Sequence, residues 1–200
     1  GRYADQMELQ LFNAALAGMQ LDGQRYFYVN PLEVNPRVTK LRNDMKHVLP
    51  VRPKWHACAC CPPNLARLIT SLGGYLYSED DSAVYSHLFV GSTAQTAHAQ
   101  IQLETAYPWK GEVCYTLSNC SGKEFALSIH IPAHVRNLRM LVNGEKIAAD
   151  VKNGYCAVPR QWQDGDKAEV LFDMPRIRQS AGARRRRTGC PCPWSDHLLH

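Results

Sequence analysis

From about residue 82 to residue 175 the chain alternates apolar and polar residues, and turn signals interrupt the alternation throughout. A period of two places every second side chain on the same face of a strand. The runs "AVYSHLFVGSTAQT", "AQIQLETAYP", "GEVCYTLSNCSGKEFALSIHIP", "LRMLVNGEKI" and "GYCAVPRQWQDGDKAEVLFDMP" all carry it. Many short strands with recurring turns predict an antiparallel β-sandwich. One hairpin stands out: Asn143-Gly144 in "VNGEKI" suits a type I′ turn, where both central residues need positive φ. Cys114, Cys120 and Cys156 fall on these strands and read as buried or half-buried small residues.

Before residue 82 the period changes. Tyr3, Met7, Leu11, Ala14 or Ala15, and Met19 recur every three or four positions, which predicts a helix over 3–19. Glu8 lies one position off that stripe and should border the buried face. "LDGQ" is a turn, and "RYFYVNPLEV" reads as extended until Pro31 stops it, with Tyr28 and Asn30 on one strand face. The charged, proline-containing stretch to residue 55 reads as a long loop, a segment type that often carries function. A second helix is predicted over 64–77, capped by Asn64, with Leu65, Leu68, Ile69, Leu72 and Leu76 as its apolar face. The expected organisation is therefore mixed α and β in separate domains: residues 1–80 helical, 82–177 a β-sandwich, and 178–200 an unpatterned tail.

That tail explains the charge. Residues 176–200 hold six Arg and one Asp, so the whole net charge of +5 belongs to them, and the first 175 residues balance. A balanced body gives no electrostatic case for specific nucleic-acid binding, and Arg184 to Arg187 would contact nucleic acid only non-specifically. The tail is expected to be disordered, or the product of a shifted reading frame; Cys190 and Cys192 have metal-like spacing but sit in no pattern. No apolar run is long enough for a membrane span, and the start has neither Met nor a signal-peptide core. The chain is expected to begin inside a longer, cytoplasmic protein with reduced thiols.

The densest chemistry lies in "CACCPPN", Cys58 to Asn64. Adjacent cysteines rarely bond each other because the ring is strained, so Cys60 and Cys61 against a Pro-Pro turn suit a metal, a reactive thiolate, or both. His56 reads as a loop histidine, and Trp55 as either a sugar platform or a core plug.

The pair "YADQMELQLFNAALAGMQLDGQRYFYVNPLEV" and "CACCPPNLARLITSLGGYLYS" resembles glycoside hydrolase family 127, the β-L-arabinofuranosidase-like enzymes, over residues 1 to 177. The resemblance implies the last helices of an (α/α)6 barrel followed by an antiparallel β-sandwich. It implies a retaining hydrolase with Cys60 as nucleophile and zinc ligand, and Cys61 as a second ligand. Cys58, Glu8, Tyr28 and Asn30 would line the sugar pocket, with a β-L-arabinofuranoside-type substrate. Zinc would depress the thiol pKa of its nucleophile.

Two family features depart here. The family's Glu-x-Cys zinc pair and its acid/base glutamate are absent, leaving half a zinc site. The only Glu-x-Cys spacing, Glu112-Val113-Cys114, lies in the β region and reads as coincidence. The fragment is accordingly expected to be inactive by itself, and the alternative reading is a non-catalytic carbohydrate-binding or structural sandwich module.

Overall fold

The computed structural model describes residues 1–29, 31, 34–58, 60–174, 177–179 and 190–192, the last two segments by their backbone. The chain divides into two compact units, one of Gly1–Gln6 with Gly73–Pro193 and one containing Met7–Leu72.

The first unit is built on two sheets. In chain order its strands are β1 (Tyr77–Glu79), β2 (Ala83–Ser86), β3 (Ser92–Gln95), β4 (Gln100–Thr105), β5 (Glu112–Ser118) and β6 (Glu124–His130). They continue with β7 (Arg136–Val142), β8 (Glu145–Ile147), β9 (Val151–Lys152), β10 (Tyr155–Gln161) and β11 (Lys167–Asp173). One sheet has the order β1-β2-β6-β10-β9, the other β3-β4-β5-β11-β7-β8. Alternation becomes burial directly: Val113, Tyr115 and Leu117 of β5 point inward, as do Leu127 and Ile129 of β6 and Ala168 and Val170 of β11. Each such valine, leucine or isoleucine side chain contributes about 1.5–3 kcal/mol of burial. The Tyr115 hydroxyl, also buried, meets Ser86 Oγ at 2.9 Å. That bond gives a polar group inside the core a partner.

The predicted type I′ turn is present, with Asn143 at φ +53° and Gly144 at +80°, and Asn153-Gly154 repeats it between β9 and β10. Cys156 is buried, while Cys114 and Cys120 are half-buried. The expectation of a wholly antiparallel sandwich needs correction: β2 pairs with β6 in parallel, Ala83 opposite Ala126 through Ser86 opposite Ile129. After β2 the chain spends three strands in the other sheet, and on returning it runs in the same direction as β2. Apart from these sheets, β12 (Ile177–Gln179) pairs with β13 (Cys190–Cys192), so part of the segment expected to lack pattern is strand. Arg184 to Arg187 lie outside the described residues.

Residues 1–6 are the start of helix α1 (Arg2–Leu9), and Asp5 fixes them. Its Oδ1 accepts the Ala133 N–H at 3.1 Å and lies 3.2 Å from His130 Nε2. His130 is almost fully buried, and that burial lowers its pKa to about 4 against the opposing pull of Asp5.

In the second unit the first predicted helix forms, but not as one regular element. Past Leu9 it loosens into a π-helical turn, Gln10–Ala15, then tightens into a 3-10 turn, Leu16–Gly18. The buried stripe is Ala4, Glu8, Leu11 and Phe12, one step on from the one read in the sequence, and Tyr3 is 80% exposed. Apolar spacing alone cannot choose between two neighbouring stripes when a polar residue occupies one of them.

Among the described residues of "RYFYVNPLEV" the expected strand is reduced to a single bridge, Met19 opposite Tyr26. Phe27 N–H to Gly18 O and Gln20 N–H to Arg25 O, both at 2.8 Å, make that bridge, while the Tyr26 N–H turns away to Pro53 O at 3.2 Å. The long loop contains a short helix, α2 (Pro36–Leu41), where Asn35 Oδ1 accepts the Arg37 N–H and Pro36 opens the first turn. A 3-10 turn, Asn43–Met45, follows.

Helix α3 (Cys61–Thr70) starts before the predicted Asn64 cap. Pro62 and Pro63 fill its first turn, where no N–H is needed, and Asn64 N–H closes onto Cys60 O at 3.3 Å. It ends at Ser71, and the separate short α4 (Gly73–Leu76) belongs to the first unit. No residue of α3 is buried. Among the described residues no helix is long and apolar enough to cross a membrane.

Candidate functional site

The site is built around the start of α3. Cys60 is the residue just before the helix and is exposed; Cys61 is the first helical residue and half-buried. The proline run makes this helix start abrupt: Pro62 and Pro63 carry no N–H, and the Asn64 N–H is bonded to Cys60 O. That end of a helix favours negative charge. Cys60 Sγ and Cys61 Sγ are 3.8 Å apart. Two thiolates each about 2.3 Å from one tetrahedral zinc are about 3.8 Å apart, so the pair matches one edge of such a centre. Among the described residues no group of three or more His, Cys, Asp and Glu side chains is placed to hold a metal. The donor set here therefore fits half of a zinc site.

Tyr28 joins the sulfurs. Its carbonyl oxygen accepts from Cys61 Sγ at 3.7 Å. Negative charge on Cys60, and next on Cys58, holds its phenol above the ordinary tyrosine value, so the hydroxyl and these sulfurs share one neighbourhood. Cys58 is exposed. Tyr28, Cys58, Cys60 and Cys61 are thus brought together. Glu8, expected at the border of its helix's buried face, is instead 2% exposed within it. Asn30 lies outside the described residues.

Two rings that pack on Tyr28, those of His56 and His47, were not singled out by the sequence as site residues. The His56 imidazole has its centroid 5.7 Å from that of Tyr28 and 5.2 Å from that of Tyr26. His47 meets Tyr28 edge-on at 6.4 Å. Trp55, which had two readings, is 70% exposed and plugs no core. Arg52 steadies the same loop: its Nη2 donates to Ala17 O at 2.6 Å and its guanidinium lies 4.7 Å over the Phe27 ring. No sequence spacing announces these contacts, because they join separate loops.

The Glu-x-Cys pair that reads as coincidence falls in the sandwich. Glu112 and Cys114 lie on β5, and Cys114 is opposite Glu104 of β4 and Glu169 of β11. Burial, then the Glu169 charge, pushes the Cys114 thiol up, which opposes the thiolate a metal would need.

Two family descriptions match the chain. "Beta-L-arabinofuranosidase, GH127 catalytic domain" matches residues 1–74, and "Beta-L-arabinofuranosidase, GH127 middle domain" matches residues 83–174. A non-reducing end β-L-arabinofuranosidase of Bifidobacterium longum subsp. longum is 36% identical over 91% of this chain and 30% of its own length. Among solved structures, a GH127 β-L-arabinofuranosidase from Geobacillus stearothermophilus T6 superposes with a TM-score of 0.81 at 46% identity, over 92% of this chain and 30% of that one. A GH127 β-arabinofuranosidase gives a TM-score of 0.73 at 30% identity, over 88% of this chain and 29% of that one. The chain thus spans about 30% of the length of such relatives.

Proposed function

The chain belongs to glycoside hydrolase family 127, and on that premise we propose that it carries part of a retaining β-L-arabinofuranosidase whose nucleophile is Cys60. The observation that carries this reading is the thiol pair at the start of α3, Cys60 exposed and Cys61 half-buried, 3.8 Å apart. In this proposal the helices of residues 1–80 are the last ones of an (α/α)6 barrel, and Cys60 and Cys61 hold a zinc ion together with two ligands from a Glu-x-Cys pair outside this chain. Zinc, when bound, keeps a thiol deprotonated at neutral pH.

The steps belong to the side chains. Cys60 Sγ attacks the anomeric carbon and the aglycone oxygen leaves, which inverts that carbon and joins the sugar to sulfur. Water then attacks the same carbon, gives its proton to a base outside this chain and returns Sγ as the thiolate, and the second inversion gives net retention. Tyr28, Asn30, Glu8 and Cys58 are the proposed contacts to the sugar. Protonation of the leaving oxygen falls to a glutamate outside this chain, so the chain alone is expected to bind without turnover.

Cobalt loading tests the thiol pair. The expected result is a thiolate-to-cobalt charge-transfer absorption that Cys60→Ser and Cys61→Ser each diminish, with no release of nitrophenol from p-nitrophenyl β-L-arabinofuranoside by the chain alone. A cobalt spectrum indifferent to both substitutions would overturn the proposed site.

A further inference from the structure

The rings behind the thiols form a ladder from core to site. Tyr26 is its fixed end: it is 7% exposed, its N–H is bonded to Pro53 O, and it bridges to Met19. Tyr28 is the free end, 39% exposed beside the sulfurs. His56 stands between them, its centroid 5.2 Å from the first ring and 5.7 Å from the second, tilted by 54° and 45°. Such spacings are those of attractive ring pairs.

What His56 does not do narrows its role. Its Nε2 is buried with no hydrogen-bond partner, and so is the Tyr26 hydroxyl. No hydrogen bond joins the two neighbouring rings, and the contact is one of shape. The Tyr28 main chain is placed by Cys61, which donates to its carbonyl. The Tyr28 hydroxyl is hydrogen-bonded to the Cys60 side chain, and the body of the ring packs against His56 and the edge of His47.

We infer that His56 is a positioning residue, whose ring holds the Tyr28 ring beside Cys60 and Cys61 by packing rather than through a proton. The consequence for sugar binding rests on the reading of Tyr28 as a sugar contact. Phenylalanine should then replace His56 without loss, because it keeps the ring, and the buried Nε2 that it removes has no hydrogen-bond partner. Alanine should not.

The test is NMR of the chain with titration of methyl β-L-arabinofuranoside, the Tyr28 ring signals being assigned through Tyr28→Phe. In His56→Ala the Tyr28 signals should move toward those of free tyrosine, and sugar affinity should fall about three- to tenfold, the worth of one ring pair. His56→Phe should restore both. Should alanine unfold the loop, His56→Leu keeps the bulk without the ring and should behave as the loss variant. Unmoved Tyr28 signals in the ring-less variants, or a phenylalanine variant as impaired as they are, would overturn the inference. If the wild-type chain binds no arabinofuranoside, the sugar role of Tyr28 falls separately, and the ring signals still decide whether His56 holds it.

Discussion

Leu127 on β6 and Ile69 on α3 are both aliphatic residues on regular elements, yet Leu127 has no exposed surface and Ile69 keeps 47% of its own. The cysteines divide in the same way. Cys156 is buried in the sandwich and burial raises its thiol; Cys120, half-buried near Asp164, is pushed up to about 11. Cys58 and Cys60 are open to solvent. A thiol must be reachable and ionisable to attack or to bind a metal, so the better-packed unit holds inert sulfur and the less-packed one holds the candidate chemistry. The contrast teaches that packing in this chain serves the sandwich first, and that the helix bearing the thiols owes little of its stability to residues of this chain.

The largest expected difference is in the core. Leu127→Ala should cost about 2–5 kcal/mol in urea unfolding, because the transfer term and a cavity add. Ile69→Ala should stay within about 0.5 kcal/mol. Equal costs would break the comparison. Acid should sharpen it next. The His130 pKa lies near 4, below the unfolded imidazole value of 6.5, so the unfolded chain takes up the proton first. The stability contributed by neutral His130 is complete above about pH 6.5 and is lost as pH falls toward about 4. Melting of the sandwich between pH 7 and pH 5 should show a slope that His130→Gln, a donor that does not titrate, flattens; an unchanged slope would assign the acid sensitivity elsewhere. The smallest effect is local. Gly144→Ala, forced to φ +80°, should cost about 1 kcal/mol in the same unfolding measurement. No loss there would mean that the hairpin relaxes its turn.

Much of the sandwich was legible because its signals are short-range. Val113, Tyr115 and Leu117 announce an inward face by alternation, and Asn143-Gly144 announces its turn by backbone chemistry. The parallel pairing of β2 with β6 was not legible, since no local pattern says where a chain re-enters a sheet. In the helical unit the helix over 3–19 was visible but its face was misread. Glu8 occupies a buried position that a polar residue does not advertise, and the π-helical turn after Leu9 shifts the period. "CACCPPN" pointed to Cys60 and Cys61, yet its prolines were read as a turn before the helix when they form its first turn.

The sequence by itself determined the two-part organisation, the strand faces, the hairpin turns and the cysteine motif that marks the family. Each depends on residues within a few positions of one another, where period and backbone preference suffice. Only the tertiary structure decided that Cys60 and Cys61 sulfurs stand 3.8 Å apart at a helix start. Only it brought Tyr26, Tyr28, His47 and His56 into one set of rings, which reaches the sulfurs through Tyr28. The reason is physical: those rings come from loops distant in the chain, and their meeting is set by where Tyr26 and Phe27 spend their backbone hydrogen bonds, on Pro53 and Gly18, rather than by any local preference.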